Sequence, residues 1–225
     1  MGIDRTLILV TQMNEEKKEL YLHVLMCLIG GFFGGYALLS RGGNFGNAQT
    51  CNMIEIVLTL LGRNYPQFLL RLLGLFLYGA AIFLCLVLEK RTTVNVRRYA
   101  ISVDIAGACL LCLIPREADV LAGILPLFFM MATQWTVFHG NEKYNCSTIF
   151  STNNLKQFTL SAGGYLLEKT DAQLDKAKFF GLSLLCYHIG AAGSFFACRA
   201  FSPAASLCVL PAAAAAMALT FVRRG

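Results

Sequence analysis

Long apolar runs alternate with polar connections along most of the chain. A helix that crosses a membrane needs about 20 predominantly apolar residues, and six runs reach or approach that length. The pattern therefore predicts an all-α membrane protein with six transmembrane helices. We place these spans at residues 21–40, 66–88, 99–115, 119–138, 177–201 and 203–222.

Two of the connections are long and contain short apolar stretches of their own. Residues 52–62 would form a helix that covers only about half of the ~30 Å apolar core of a bilayer. In the stretch 147–169, Thr152-Asn153-Asn154 precedes an apolar segment that ends at Gly163-Gly164. Both stretches are too apolar for ordinary loops and too short to cross, so we predict re-entrant or broken helices at 45–62 and 147–167.

The two halves of the chain repeat the same order of features. Thr50-Cys51-Asn52 is echoed 102 residues later by Thr152-Asn153-Asn154, and the Gly-Ala-Ala that begins at Gly79 recurs at Gly190. Because each half holds three spans, the second half would enter the membrane upside down, as in an inverted-topology repeat. We place the repeats at 21–115 and 119–222 within one membrane domain, and expect the two polar connections to meet near the midplane.

The composition supports a protein embedded in a lipid bilayer, and the positions of the basic residues predict its orientation across the membrane. The chain is 56% hydrophobic and only 14% charged, with a mean hydropathy of +0.59, whereas soluble domains carry about 25% charged residues. Lysine and arginine concentrate in the connections on the side of both termini, which predicts a cytoplasmic N-terminus, including the segment 1–20, and a cytoplasmic C-terminus. The net charge of +6 therefore reflects topology and contact with lipid headgroups. We predict no nucleic-acid partner.

The sequence lacks the common signatures of catalysis. It has no H-E-x-x-H, no G-x-S-x-G and no phosphate-binding Gly-Lys-Ser/Thr loop, and its three histidines are scattered. Most of the nine cysteines lie inside apolar runs, where cysteine behaves as a small hydrophobic residue. We predict a protein that is not an enzyme and has no metal and no cofactor.

Polar residues at the two breaks are candidates for a binding site. They could line a cavity at the N-termini of the short helices, where backbone N–H groups are unpaired, or they could merely cap those helices. Glu55 could bind a proton or cation, or stabilise the positive helix N-terminus, and both interpretations stay open. The candidate substrate-binding residues are Asn47, Gln49, Thr50, Asn52, Glu55, Gln134, Thr152, Asn153, Asn154 and Gln157.

Two further polar residues inside apolar runs are secondary candidates. Asp104 could act in transport or form a structural ion pair with Arg97 or Arg98. For His188 we favour a hydrogen bond to another helix over a role in proton relay.

Short motifs resemble those of a known family. The chain resembles the YoaK family of bacterial inner-membrane proteins, whose function is unknown, at Gly31-Phe32, Thr50-Cys51-Asn52, Gln134 and Thr152-Asn153-Asn154. The resemblance implies a multi-pass protein of the bacterial cytoplasmic membrane. Cys51 and Asn153 stand where the family usually has glycine. Gly34 stands where many members have an acid, so any ion or proton coupling at that acid need not be shared.

Three functions are compatible with these features. The first is permeation of a small solute or ion through a midplane site between two broken helices. The second is a non-catalytic binding or assembly subunit, and the least favoured is a membrane enzyme acting on lipid. Gly30, Gly31, Gly34 and Gly35 form two overlapping G-x-x-x-G pairs, which allow close helix approach within the chain or to a second copy in a homo-oligomer.

Overall fold

The computed structural model describes residues 15–115, 117–141 and 143–222, and its secondary structure is helical almost throughout. Most of the predicted N-terminal segment 1–20 lies outside the described residues. In the described part of the chain, eight α-helices and one 3-10 helix follow one another: α1 Glu15–Ser40, α2 Thr50–Leu61, α3 Tyr65–Arg91, α4 Val96–Leu113, α5 Val120–Val137, α6 Thr152–Glu168, α7 Asp171–Phe201, the 3-10 helix Ser202–Val209 and α8 Leu210–Leu219.

Four of the described helices are long and apolar enough to cross a membrane, namely α1, α3, α5 and α7. The other two predicted spans differ from that description. Helix α4 has 18 residues but includes two arginines and Asp104. The run 203–222 divides into the 3-10 helix and the ten-residue α8, because proline near the start of each removes a backbone donor and fixes φ. Both short helices appear, at α2 and α6.

Helices α1 and α5 form the centre of the molecule. Phe33 and Tyr36 of α1, and Ile124 and Met131 of α5, have essentially no exposed surface. Helix α1 packs most extensively against α7 and also contacts α8, whereas α5 packs against α3 and α4. Each central helix therefore packs mainly on helices from the other half of the chain.

Glycine allows the closest of these approaches. A Cβ atom on Gly31 would collide with the backbone of Tyr187 in α7, and one on Gly190 would collide with the backbone of Leu28 in α1. Gly35 faces Ser194 and Ala191 of α7 in the same way. The small-residue face of α1 therefore packs inside this chain. The prediction of a homo-oligomer through these glycines has no support from their packing.

The outer surface is rich in large apolar side chains. Leu61 of α2, Phe76 and Phe83 of α3, and Leu167 of α6 are each exposed over more than half of their surface. Water tolerates only small contiguous patches of this kind, whereas lipid chains solvate them well. The long apolar helices and this surface are those of a membrane protein.

Polar contacts gather the helix ends into two groups. At one end Arg97 pairs with Glu19, Arg98 donates to the Thr220 carbonyl oxygen at 3.0 Å, and the Lys18 ammonium donates to the Val222 carbonyl oxygen at 2.8 Å. At the other end the guanidinium of Arg41 donates to the carbonyl oxygens of Ile114 and Pro115. The N-terminal part of α1, the start of α4 and the end of α8 thus lie together.

Candidate functional site

The connection after α1 folds back along that helix. Gly42 and Gly43 have φ of +59° and +80°, backbone conformations that glycine adopts without strain. Beyond them the Asn47 side-chain amide donates to the Gly30 carbonyl oxygen at 2.9 Å. Gly30 lies ten residues before the end of α1 at Ser40, which is about 15 Å at 1.5 Å per residue. Residues 41–49 therefore descend toward the middle of α1.

The connection after α5 reaches the same depth. The Gln134 amide donates to the Met26 carbonyl oxygen at 2.8 Å and to the Thr148 hydroxyl at 3.0 Å. The Thr148 backbone lies directly against Gly30, where a side chain would not fit. Residues 146–149 are all buried. Both connections therefore approach the same stretch of α1.

The two connections touch each other there. The Asn47 amide that binds Gly30 also donates to the Ile149 carbonyl oxygen at 2.6 Å. We call the region formed by Asn47, Gln134, Thr148, Ile149 and residues 30–34 of α1 the junction. Asn47 and Ile149 are 102 residues apart, the same interval that separates the two Thr-x-Asn motifs.

Aromatic side chains close the junction on the sides of α3 and α7. The Tyr78 hydroxyl of α3 donates to the Asn47 carbonyl oxygen at 3.3 Å. Trp135 packs edge-on against Phe150, with ring centroids 5.4 Å apart. From α7, the Tyr187 hydroxyl lies 2.8 Å from the position that a Cβ atom on Gly34 would take. The walls of the junction are thus large and apolar, while its centre is polar.

Several buried polar atoms at or beside the junction have no hydrogen-bond partner in the described part of the chain. They are Asn47 Oδ1, Gln134 Oε1, Gln49 Nε2 and Ser151 Oγ. A buried polar atom left unpaired costs about 1–3 kcal/mol, so most such atoms in proteins are paired. These amide and hydroxyl groups could bind a small polar solute with both donors and acceptors, and none of the four side chains is charged.

Asn52 and Asn154 attach the starts of the short helices to the core. Asn52, the buried residue of α2, donates to Gln49 Oε1 at 2.7 Å and to the Arg71 carbonyl oxygen at 3.0 Å. Asn154 in α6 accepts from the Ser147 backbone N–H at 3.2 Å and donates to the Ser147 carbonyl oxygen at 2.7 Å. Both amides are paired within the protein and neither sits at an N-cap position.

The short helices repeat one further detail. The Thr59 hydroxyl donates to the Glu55 carbonyl oxygen at 2.6 Å, and the Ser161 hydroxyl donates to the Gln157 carbonyl oxygen at 2.8 Å. The two donor residues are 102 residues apart, and so are the two acceptor residues. The Gly-Ala-Ala echo has no such equivalence, because Gly190 packs against α1 whereas Gly79 has open space around it.

The remaining candidates lie away from the junction centre. Thr50, Thr152 and Asn153 are exposed at the starts of α2 and α6, and Gln157 is half-buried. Glu55 lies 3.8 Å from Arg71 of α3, an ion pair that neither of the two interpretations of Glu55 anticipated.

The His188 and Asp104 contacts differ from those predicted. His188 is exposed and its Nδ1 bonds the Leu184 carbonyl oxygen of its own helix at 2.7 Å, so the expected bond to another helix is wrong. Of the two alternatives for Asp104, the ion pair with Arg97 or Arg98 is wrong, and the role in transport stays a prediction. Asp104 is fully buried and has no partner among the described residues. Arg97 and Arg98 bind Glu19 and Thr220 instead.

Four contributors to the junction were not predicted. No signal of their own marked Tyr78, Thr148, Ile149 and Tyr187, because tyrosine, threonine and isoleucine are common in apolar helices and connections. One indication of close packing was available here in the sequence, the glycines at positions 30 and 34, since paired small residues mark a helix face that another segment approaches closely.

The apolar helices, four of which are long enough to cross a membrane among the described residues, are those of an α-helical membrane protein. A family model described as a protein of unknown function, DUF1275, matches residues 22–221. The chain belongs to the DUF1275 family, which is uncharacterised. Neither the curated proteins nor the solved structures give a match to the chain.

Proposed function

We propose that this chain is an integral membrane protein that lets a small solute or ion permeate, with its binding site at the junction. The observation that carries the proposal is the direct contact between Asn47 and Ile149, which joins two polar connections in the middle of apolar helices. Non-helical backbone at membrane depth is tolerated where it is buried in protein or lines a wet cavity. Transporters place such broken segments at their substrate sites.

An inverted repeat would bring the connections in from opposite sides. In its support, α1 packs on α7 and α8 while α5 packs on α3 and α4, and the hydrogen bonds of Thr59 and Ser161 recur at one interval. In this proposal α4 and residues 202–219 complete three passes in each half. The YoaK resemblance and the basic connections favour a bacterial cytoplasmic membrane, with both termini inside.

The chemistry of the junction favours a small polar solute. Its unpaired groups are the amide oxygens of Asn47 and Gln134 together with the nearby Gln49 amide and Ser151 hydroxyl. An ion would have to exchange its hydration shell for such oxygens, as ions do in selectivity filters. We assign no catalytic chemistry to these groups. The G-x-x-x-G glycines, which an assembly subunit could present to a partner, are occupied within this chain.

Flux into sealed vesicles tests the proposal. The purified protein would be reconstituted into phosphatidylcholine vesicles, and entry of urea and glycerol followed by light scattering, with potassium and chloride followed by ion-sensitive dyes. We expect at least one probe to enter several-fold faster than into protein-free vesicles. Gln134→Met, which keeps side-chain length but removes the amide, should change that rate by several-fold.

Gln173→Met is the matched control. Gln173 lies on α7 beside Gly164, so the same chemical change there should leave the flux at the wild-type rate. Thermal unfolding in detergent checks that both variants fold. Equal fluxes for wild type and Gln134→Met would place permeation elsewhere, and wild-type vesicles as tight as empty ones to every probe would contradict the proposed function.

A further inference from the structure

A second polar feature lies in the core, apart from the junction. Asp104 stands near the middle of the 18-residue α4, about 12 Å by helical rise from its start at Val96. Its side chain has no exposed surface, and neither carboxyl oxygen has a hydrogen-bond partner in the described part of the chain. One turn away on either side, the same face of α4 carries Ala100, Ile101, Gly107 and Ala108, all buried.

No positive charge faces Asp104 from the elements around it. Helix α4 packs against α5, the 3-10 helix and α8, and these three segments contain no charged residue. Helix α3, which touches α4 only slightly, carries its charges near its ends: Arg71, which pairs with Glu55, and Glu89, Lys90 and Arg91, which are exposed. The arginines of α4 itself, Arg97 and Arg98, are bound to other groups.

Packing does not require an acid at this place. Ser206 in the 3-10 helix follows Asp104 by the same 102-residue interval. Ser206 is also fully buried, and its hydroxyl donates to the Ala108 carbonyl oxygen of α4 at 2.8 Å. A small neutral side chain therefore fills the corresponding position of the second half.

We propose that Asp104 is a proton-binding site, at which the carboxyl group holds a proton at neutral pH inside the membrane core. An ionised carboxylate without a partner is very costly in an apolar interior, whereas the neutral acid is far cheaper to bury. A metal cation is a poorer occupant, because hard cations need several oxygen ligands and this face of α4 offers a single carboxyl group. The proposal does not depend on permeation at the junction.

Infrared spectroscopy of isotope-labelled protein tests this directly. The full chain would be produced with aspartate carrying ¹³C in the side-chain carboxyl group, and reconstituted into phosphatidylcholine vesicles at pH 7. A protonated acid gives a C=O stretch at higher frequency than carboxylate bands. We expect one such band with an isotope shift, although the chain contains five aspartates, because only Asp104 should be protonated.

Two variants assign the band. Asp104→Asn should abolish it, whereas Asp119→Asn should leave it unchanged, because Asp119 caps α5 through the Leu121 and Ala122 N–H groups at a helix end. If Asp104→Asn fails to fold, Asp104→Glu serves the same purpose, since the acid remains but its carboxyl carbon is no longer labelled. The isotope shift should then disappear.

Two results would overturn the proposal. One is a wild-type spectrum at pH 7 without an isotope-shifted acid band. A carboxylate band that changes when sodium is added, in place of the acid band, would count as the same result. The other is an isotope-shifted band that survives both Asp104→Asn and Asp104→Glu. Neither result depends on flux, so the junction and the proton site can fail separately.

Discussion

At the scale of single residues, buried amides hold the two connections in the core. The Asn47 amide bridges two backbone carbonyl groups that belong to different parts of the chain, and Asn154 closes a loop around Ser147 through both of its polar atoms. A hydrogen bond adds about 1 kcal/mol net, but removing one partner leaves buried groups unpaired at a further cost. These amides are therefore structural whether or not they bind a solute.

Replacing Asn47 by alanine should destabilise the protein measurably. The change leaves the Gly30 and Ile149 carbonyl oxygens without the Asn47 donor. We therefore expect the free energy of unfolding to fall by about 2–4 kcal/mol. Thermal unfolding in detergent measures the difference. Asn153→Ala is the control, because Asn153 is exposed and its loss should cost less than about 0.5 kcal/mol. Equal unfolding temperatures for the two variants would contradict the assigned role of Asn47.

The sequence singled out Asn52 and Asn154 as candidates but did not show which of the residues beside them would be buried. Asn52 and Asn154 are buried while Thr50 and Thr152 are exposed, a difference set by how each short helix is rotated against its neighbour. That rotation is set by packing on α3 and α7, the helices that directly follow α2 and α6, and the apolar pattern of a short helix does not show which of its faces the next helix covers. For the same reason the partner of Glu55, Arg71, could not be deduced from the local pattern.

At the scale of elements, the glycine-rich face of α1 has two separate uses. Gly31 and Gly35 admit α7 and Gly30 admits the connection after α5, whereas Gly34 faces both the Tyr187 hydroxyl of α7 and the connection after α1. The overlapping G-x-x-x-G pairs therefore admit both a helix and the two connections. The sequence predicted close packing at these positions but could not name the partners, because any helix or extended segment can use such a face.

A matched pair of glycine substitutions tests this packing. Gly31→Ala should cost about 1–3 kcal/mol, because the new methyl group meets the Tyr187 backbone, which cannot rotate away. Gly79→Ala in α3 should be neutral or stabilising by up to about 1 kcal/mol, since nothing lies within 4 Å of its Cβ position and alanine favours helix. Unfolding in detergent compares them. A Gly31→Ala variant as stable as Gly79→Ala would mean that α1 and α7 are farther apart.

At the scale of the whole molecule, a surface that faces lipid explains why the chain is rich in apolar residues and poor in charged ones. Large apolar side chains cover α2, α3 and α6. Most charged contacts lie near the helix ends, and the Glu55–Arg71 pair between α2 and α3 is an exception. The apolar composition was enough to predict a surface of large apolar side chains, and the positions of the charged residues predicted that they would lie in the connections between the helices. The last predicted span was less accurate, because Pro203 and Pro211 interrupt an apolar run that hydropathy alone reads as continuous.

A charge on the outer surface should disturb membrane insertion. Phe76 is 69% exposed and central in α3, and an aspartate at the centre of a membrane helix costs about 2.5–3.5 kcal/mol. We expect Phe76→Asp to reduce the amount of protein that remains in membranes after alkaline extraction, and Phe76→Leu to leave it unchanged. Equal retention of both variants would show that this face of α3 contacts water.

Cross-linking of cysteines in membranes can show whether the two polar connections meet between the helices. Cysteines would replace Asn47 and Ile149 in a chain with Cys51 and Cys146 changed to serine, and mass spectrometry would identify the linked peptides after oxidation. Disulfides form only when Cβ atoms approach to about 3.5–4.5 Å. Because the Asn47 side chain reaches the backbone of Ile149, a short bifunctional thiol reagent that spans a somewhat longer separation is used alongside oxidation, on both cysteine pairs. The control replaces Leu61 and Leu167, which lie on α2 and α6, two helices that do not pack together.

We predict an intramolecular link between positions 47 and 149 and none between positions 61 and 167. Reaction of the reduced protein with a thiol-specific reagent confirms that both pairs of cysteines are present and reduced. Failure of the 47–149 pair to link in correctly folded protein, or a link that forms only between separate copies of the chain, would contradict the account.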